Sequence, residues 1–301
     1  MNKDDLDLHH LTKSAQIVAR MSSEERIQHI RTDRFLGYPL ALDAFSRLET
    51  LLSWPRNQRM RNMLPIGATN NGKSMIVERF RRQHPIIQKS DKVEIPLLCM
   101  QMPSAPSVQR FYIALLASAG APMSKGQKTT TLESVALKVM RGAGVRLLII
   151  DELHNALAGT ITQQREFLNL LRYLSNELRV SLVGVGTRDA YLAVRSDDQL
   201  ENRFEPFMLP LWKAGDATSS LIASFAASFP LRRRSKISSP DVVQYLLGRC
   251  EGTIGELTHL LTLAAVLAVE SGEEAINKEI LRSTEYYGPS DRRRIVEREL
   301  N

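Results

Sequence analysis

Cysteine is scarce: Cys99 and Cys250 are the two in 301 residues. They stand far apart in unlike contexts, which argues against a disulfide or a metal site. Buried thiols in a reducing cytoplasm are expected instead. No window holds the unbroken apolar run that a membrane span needs, so no membrane association is expected. The opening residues, MNKDDLDLHHLTK, are polar and acidic, unlike a secretory signal or an Arg/Ser-rich transit peptide. Internal repeats and low-complexity tracts are absent. So are helix-turn-helix and zinc-finger patterns, which argues against sequence-specific base readout.

What is present is enough apolar material for a full core, 43% of the residues, in a chain long enough for one large domain and a smaller one. The net charge is +7 and the pI about 9.5. A basic balance suits an anionic partner, commonly nucleic acid, although many soluble proteins are mildly basic.

Apolar positions Leu40, Ala44, Leu48, Leu51 and Leu52 recur at helical spacing. Beyond them the chain alternates between buried strands and helices. MLPIG, VEIPLLCMQM, VRLLII, VSLVGVG and FEPFMLP read as strands; KSMIVERFRRQ, SVQRFYIALLASAG, TLESVALKVMR and REFLNLLRYLSNEL read as helices. This order predicts an α/β fold, a parallel sheet covered by helices on both faces. After about Lys213 the strands stop and four helical stretches follow, as in a small all-helical lid. Asp216 and the pair Ser239-Pro240 are the start signals of the first two. The expected divisions are an N-terminal extension (1–32), an α/β nucleotide-binding domain (33–212), a helical lid (213–283) and a charged tail (284–301).

GATNNGKS, Gly67 to Ser74, fits G-x-x-x-x-G-K-[ST] between a strand and a helix. Gly67, Ala68, Thr69, Asn70, Asn71 and Gly72 would curl so that backbone N–H groups face an anion at a helix N-terminus. Lys73 would reach the β- and γ-phosphates of ATP, and the Ser74 hydroxyl would bind Mg2+. RLLIIDE places two carboxylates at the end of a buried strand. Asp151 is positioned to hold the Mg2+. Glu152 is positioned to deprotonate an attacking water. Adjacent Asp-Glu favours hydrolysis over transfer to a small-molecule acceptor. Thr187 closes the neighbouring strand, either as a sensor of the water or γ-phosphate or as an ordinary strand-end hydroxyl.

These motifs, in this order, resemble an AAA+ ATPase. With DRFLGYPLALDAFSRLETLL, WPRNQRMRNML, LLIIDELHNALAG and SLVGVGTRDAY, the chain from about Asp33 to Ser271 resembles the TniB/TnsC family of transposition regulators. The resemblance implies an ATP-dependent protein that binds double-stranded DNA and assembles on it as a ring or helical filament. It implies recruitment of a DDE transposase, a TniQ-type targeting partner, and hydrolysis that controls disassembly. Under it, Lys73 and Ser74 form the Walker A pair, Asp151 and Glu152 the Walker B pair, and Thr187 is sensor 1. Tyr38 and Pro39 lie where the family packs the adenine, or are simply a core tyrosine and a helix-starting proline.

One departure concerns the lid turn EGTIGEL, where Gly255 stands in place of the arginine many relatives carry. Slow intrinsic turnover is the expected consequence. Arg203, in QLENRFEPFMLP, is either a surface arginine at a strand start or a cation for the next subunit's phosphate. In a ring-forming relative, loops after the second strand and after the Asp-Glu strand can face DNA. This makes Lys125, Lys128, Thr129 and Arg165 candidates for phosphate contacts. The basic run Arg232, Arg233, Arg234 and Lys236 is left without a role. A helicase loader or other remodelling ATPase is the alternative, but the candidate loops MSKGQKTTT and ALAGTITQQ lack pore aromatics. A signalling ATPase without nucleic acid suits the basic charge less well.

Overall fold

The computed structural model describes residues 7–90, 92–122 and 126–300. In chain order come α1 (Lys13–Ala19) and α2 (Ser23–Arg31), then α3 (Pro39–Ser53), β1 (Asn62–Gly67) and α4 (Lys73–Gln83). A short hairpin of β2 (Ile87–Gln88) and β3 (Val93–Glu94) precedes β4 (Leu97–Gln101), α5 (Val108–Ser118) and α6 (Thr129–Gly142). β5 (Leu147–Asp151) runs into a 3-10 turn (Leu153–Leu157), followed by α7 (Ile161–Leu178), β6 (Ser181–Gly184), α8 (Arg188–Arg195), α9 (Asp198–Glu201) and β7 (Phe204–Leu209). The remainder is helical: α10 (Asp216–Ser228), α11 (Pro240–Cys250), α12 (Ile254–Glu270), α13 (Lys278–Ser283) and α14 (Pro289–Glu299).

Two compact units result. One is Pro39–Pro210; the other joins the residues from Leu211 onward to the N-terminal segment ending at Tyr38. The first is the α/β unit expected from the sequence. Its sheet has five strands in the order β4-β5-β6-β1-β7, and every pairing is parallel. β1 and β6 are buried at every position, which is why they read as continuous apolar runs. The edge strand β7 buries Phe204, Phe207 and Leu209, exposes Glu205, Pro206 and Met208, and tolerates that proline, as an edge can. VEIPLLCMQM is one strand in the sequence reading but two elements in the fold. Val93 and Glu94 pair antiparallel with β2, and Pro96, which lacks an N–H, separates them from β4. Helix α10 starts one residue earlier than Asp216 suggested: Gly215 is the cap and Asp216 the first helical residue.

The helical unit is held by long-range polar contacts. Arg26, fully buried, donates to both Glu274 carboxylate oxygens at 2.6 and 2.7 Å and to the Pro230 carbonyl at 3.2 Å. Burial alone would raise the Glu274 pKa, but hydrogen bonding and charge from Arg26, aided by Arg232, hold it below its ordinary value. A depressed native pKa contributes stability above the ordinary carboxylate range, lost as the pH falls through the native value. Glu274→Ala strands the Arg26 charge in the core and is expected to cost about 3–5 kcal/mol, measured by chemical denaturation.

The C-terminal segment, a charged tail in the sequence reading, contains α14, started by Pro289 and burying no residue. Arg292 ties it to Glu256 of α12 at 2.5 Å. Cys99 and Cys250 are free thiols, and burial pushes Cys99 up to about 12. Among the described residues no single helix is long and apolar enough to cross a membrane.

Candidate functional site

β1 delivers the chain into the glycine-rich turn. Two residues there take left-handed backbone conformations, Asn70 at φ 59° and Gly72 at φ 83°, which curl the loop before α4 begins at Lys73. Gly67 has no room for a side chain: an added Cβ would lie 2.8 Å from the Leu209 carbonyl oxygen. Lys73 is 7% exposed, and its Nζ donates to the carbonyls of Gly67 at 2.9 Å and Ala68 at 2.6 Å. Burial lowers its pKa, opposed by the charges of Asp151 and Glu152. A buried ammonium balanced chiefly by carbonyl dipoles is suited to an arriving anion.

Asn71 has a task the motif did not reveal. Its side-chain amide donates to the carbonyls of Leu209 at 2.9 Å and Pro210 at 3.0 Å, pinning the loop to the end of β7. Asn71→Asp would set an acceptor against two carbonyls. A loss of about 1–3 kcal/mol is expected in thermal or denaturant unfolding.

β5 ends at Asp151, paired in register with Gln101 of β4. The Ser74 hydroxyl donates to Asp151 Oδ2 at 2.8 Å, and the Glu152 N–H donates to Oδ1 at 2.8 Å. Glu152 itself is left-handed, at φ 57° and ψ 37°, an unfavourable conformation for a residue with a side chain and one that concentrates at functional sites. Its carboxylate meets His154 Nε2 at 3.1 Å. The 3-10 turn holds this pair against β6. The Leu153 N–H donates to the Val185 carbonyl at 2.9 Å, and a Cβ on Gly184 would fall 2.3 Å from Leu153 Cδ2. The neighbour Asn155 donates to the Met102 carbonyl at 3.4 Å. At the end of the β6 connection, Thr187 caps α8 without a side-chain bond to the helix. Thr187 Oγ1 and His154 Nδ1 are both buried with no hydrogen-bond partner among the described residues.

The residues present fit ATP and magnesium. The Ser74 hydroxyl and the Asp151 carboxylate already meet, and magnesium commonly takes one or two protein donors while phosphates and water supply the rest. Among the described residues there is no group of three or more His, Cys, Asp or Glu that would hold a metal alone. The orphaned Thr187 hydroxyl is a polar atom in want of a partner, as a phosphate or water sensor would be. Lys73, Ser74, Asp151, Glu152 and Thr187 all follow the C-terminal ends of β1, β5 and β6, the edge at which parallel sheets bind ligands.

Arg203 is elsewhere. β1 and β7 run parallel in register from Asn62↔Phe204 to Gly67↔Leu209, so Arg203 precedes β7 at the end of the pair opposite to Gly67. Five strand steps separate those two ends by about 17 Å. The Asn62 N–H donates to the Arg203 carbonyl at 3.1 Å, and Arg203 Nη1 donates to Asn176 Oδ1 at 2.5 Å. Burial lowers the Arg203 pKa, and the charges of Arg59 and Arg172 lower it further. Arg59, Arg61 and Arg203 line a cleft of about 370 Å3. The sequence had marked Arg203, but the clustering of Arg59 and Arg172 beside it depends on packing between elements and was not foreseen.

Tyr38 belongs to the helical unit, buried and edge-on to Trp212 with ring centroids 5.1 Å apart; burial pushes its phenol up to about 12. Pro39 opens α3. The lid turn is clamped to Trp212, whose N–H donates to the Gly252 carbonyl at 2.7 Å. Gly255 lies in the first turn of α12. The adjoining Glu256 is buried and accepts from Tyr286 at 2.7 Å and Arg292 at 2.5 Å. Among the DNA candidates, Lys128 and Arg165 are exposed, Thr129 is half-buried at the start of α6, and Lys125 lies outside the described residues.

A five-stranded parallel sheet with a glycine-rich phosphate loop, an acidic strand end and a following helical unit defines an AAA+ P-loop fold. The chain belongs to the TniB family: the profile described as bacterial TniB protein matches residues 26–214. Among solved structures it is similar to the Aeropyrum pernix ORC1 protein in complex with DNA, at TM-score 0.60 and 17% identity over 86% of this chain and 68% of that one. It is also similar to Drosophila ORC bound to DNA, at TM-score 0.56 and 12% identity over 91% and 67%. At such identities the likeness establishes the fold alone. A curated relative, chaperone protein ClpB of Meiothermus ruber, is 25% identical over 120 residues, 40% of this chain and 14% of ClpB. The chain thus spans a small part of that chaperone.

Proposed function

We propose that this protein is an ATP-gated scaffold that oligomerises on duplex DNA, selects a transposition target and recruits a DDE transposase. ATP hydrolysis, slow until assembly or a partner stimulates it, controls disassembly. A TniQ-type protein is the expected targeting partner and the cytoplasm the expected location. The observation that carries the reading is the separation of Arg203 from the phosphate loop along β1 and β7. An arginine at the far end of the strand pair is suited to a nucleotide held by a second copy. Membership of the TniB family supports the transposition setting, and the DNA in the ORC structures supports a nucleic-acid partner.

Within one subunit, Lys73 would exchange its two carbonyl partners for phosphate oxygens, and Ser74 and Asp151 would hold the magnesium. Magnesium, when bound, neutralises charge on those oxygens. Glu152 orients a water and accepts its proton, while Thr187 donates toward the water or the γ-phosphate. Tyr38 and Pro39 are assigned to the adenine. The crossover helices α6 and α7 run back against the strand direction, so their first turns lie at the phosphate-loop edge of the sheet. Lys128, Thr129 and Arg165 would there contact DNA phosphates without reading bases, and Lys125, outside the described residues, is assigned the same role.

Electron microscopy with linear duplex DNA and a non-hydrolysable ATP analogue is expected to show rings or filaments on the duplex. Discrete particles without DNA would remove this reading.

A further inference from the structure

The basic run Arg232–Lys236 has one member with a structural task. Arg232 Nε donates to the Ala19 carbonyl at 3.1 Å and Nη2 to the Met21 carbonyl at 3.3 Å. The rest of the loop is anchored around its cations. Leu231 and Ile237 are each 1% exposed, and Ser235 Oγ accepts from the Ile276 N–H at 2.9 Å. Between these anchors Arg234 and Lys236 stand exposed, with no ion pair found for either among the described residues. Both line a cavity of about 530 Å3 within the helical unit. His10, whose Nε2 donates to the Leu231 carbonyl at 3.1 Å, forms part of its wall. Ser238 and Ser239 also line it, with small alanines of α10.

Among the described residues the wall contains no carboxylate, and its one ring is the His10 imidazole, tied to the Leu231 carbonyl. The nearby acid on α11, Asp241, lines a different cleft and is paired with Lys278 at 2.5 Å. Two cations on an anchored loop, with no ion pair among the described residues and no acid in the wall beside them, make a receptor for anionic oxygen. With one small ring, already tied to a carbonyl, and no large apolar slot, the wall offers a base little to stack on, so a whole nucleotide has no seat. A phosphate group carried by something larger does.

We infer that this cavity is a second contact for the phosphodiester backbone of duplex DNA, made by the helical unit and separate from the candidates on α6 and α7. The inference rests on the proposed DNA-scaffold function. It gives the basic run a role: the anchors hold the loop, and Arg234 and Lys236 neutralise phosphates. Such a contact positions the protein without reading sequence, and its strength falls steeply with salt.

The test is fluorescence anisotropy of the full chain on a labelled linear duplex, with a non-hydrolysable ATP analogue, across a salt series. Each phosphate neutralised contributes about 0.9 to the slope of log K against log salt, so the R234Q/K236Q double substitution is expected to flatten the slope by about 2. Affinity for the nucleotide analogue and the unfolding midpoint should match wild type, because neither side chain is buried. R234K/K236R, which keeps both charges, should retain the wild-type slope. A slope for R234Q/K236Q equal to wild type overturns the inference and leaves the DNA scaffold standing. No binding of duplex by wild-type protein overturns both. Wild-type binding of poly-glutamate that the double substitution abolishes, with DNA binding unchanged, overturns it in favour of an acidic protein partner.

Discussion

Glu152→Gln is expected to reduce ATP turnover by about 10²–10⁴-fold while leaving nucleotide binding intact. The change removes the group proposed to accept a proton from water and keeps the shape of the side chain. Lys73, which would carry the binding, is untouched, as are Ser74 and Asp151. Glu152 also contacts His154 at 3.1 Å, a contact a neutral amide can still make. The variant should therefore bind ATP, assemble and fail to disassemble. Steady-state turnover and equilibrium nucleotide binding, measured side by side, check both halves. A variant that turns over normally would remove Glu152 from the chemistry.

Arg203→Ala is expected to lower assembly-stimulated turnover by about 10³–10⁵-fold, the range an arginine supplied to a transferring phosphate spans. The fold should survive, since among the described residues Arg203 makes one side-chain hydrogen bond, to Asn176, and sits among other cations. Removing it even relieves some repulsion with Arg59 and Arg172. Nucleotide affinity of the dilute protein should be unchanged, because Arg203 lies at the opposite end of the β1–β7 pair from the phosphate loop. Turnover measured against protein concentration reads the effect directly. Wild type should rise more than linearly as it assembles, and the variant should stay flat. Lost affinity in the dilute variant would instead place Arg203 in the site of its own chain.

Much of the candidate nucleotide site was legible in the sequence because its residues are local. GATNNGKS carries its own turn, and Asp151 and Glu152 follow four apolar residues that could only be a buried strand. That the sheet is parallel was also within reach, since alternating buried strands and helices leave few alternatives, but the order of its strands was not read. Long-range side-chain partners were not. Arg26 and Glu274 are separated by nearly the whole chain, so nothing in the sequence announces that the N-terminal helices complete the C-terminal unit. Asn71 reads as one more polar residue in a phosphate loop until its amide is seen on the carbonyls of Leu209 and Pro210. The order of motifs singled out Arg203, but its place at the far end of the strand pair depends on the register between β1 and β7. The split of VEIPLLCMQM into two elements depends on Pro96, a visible signal that the continuous apolar pattern around it masked.

The central claim is that two copies of the chain complete one active site. Mixing Glu152→Gln with Arg203→Ala protein, each inactive alone, tests it most directly. A Glu152→Gln subunit still offers its Arg203 to a neighbour, and an Arg203→Ala subunit still holds Glu152. Mixed assemblies on duplex DNA should therefore recover a substantial fraction of wild-type turnover at intermediate ratios. A mixture no more active than its two components, although both are shown to co-assemble, would contradict a site shared between subunits.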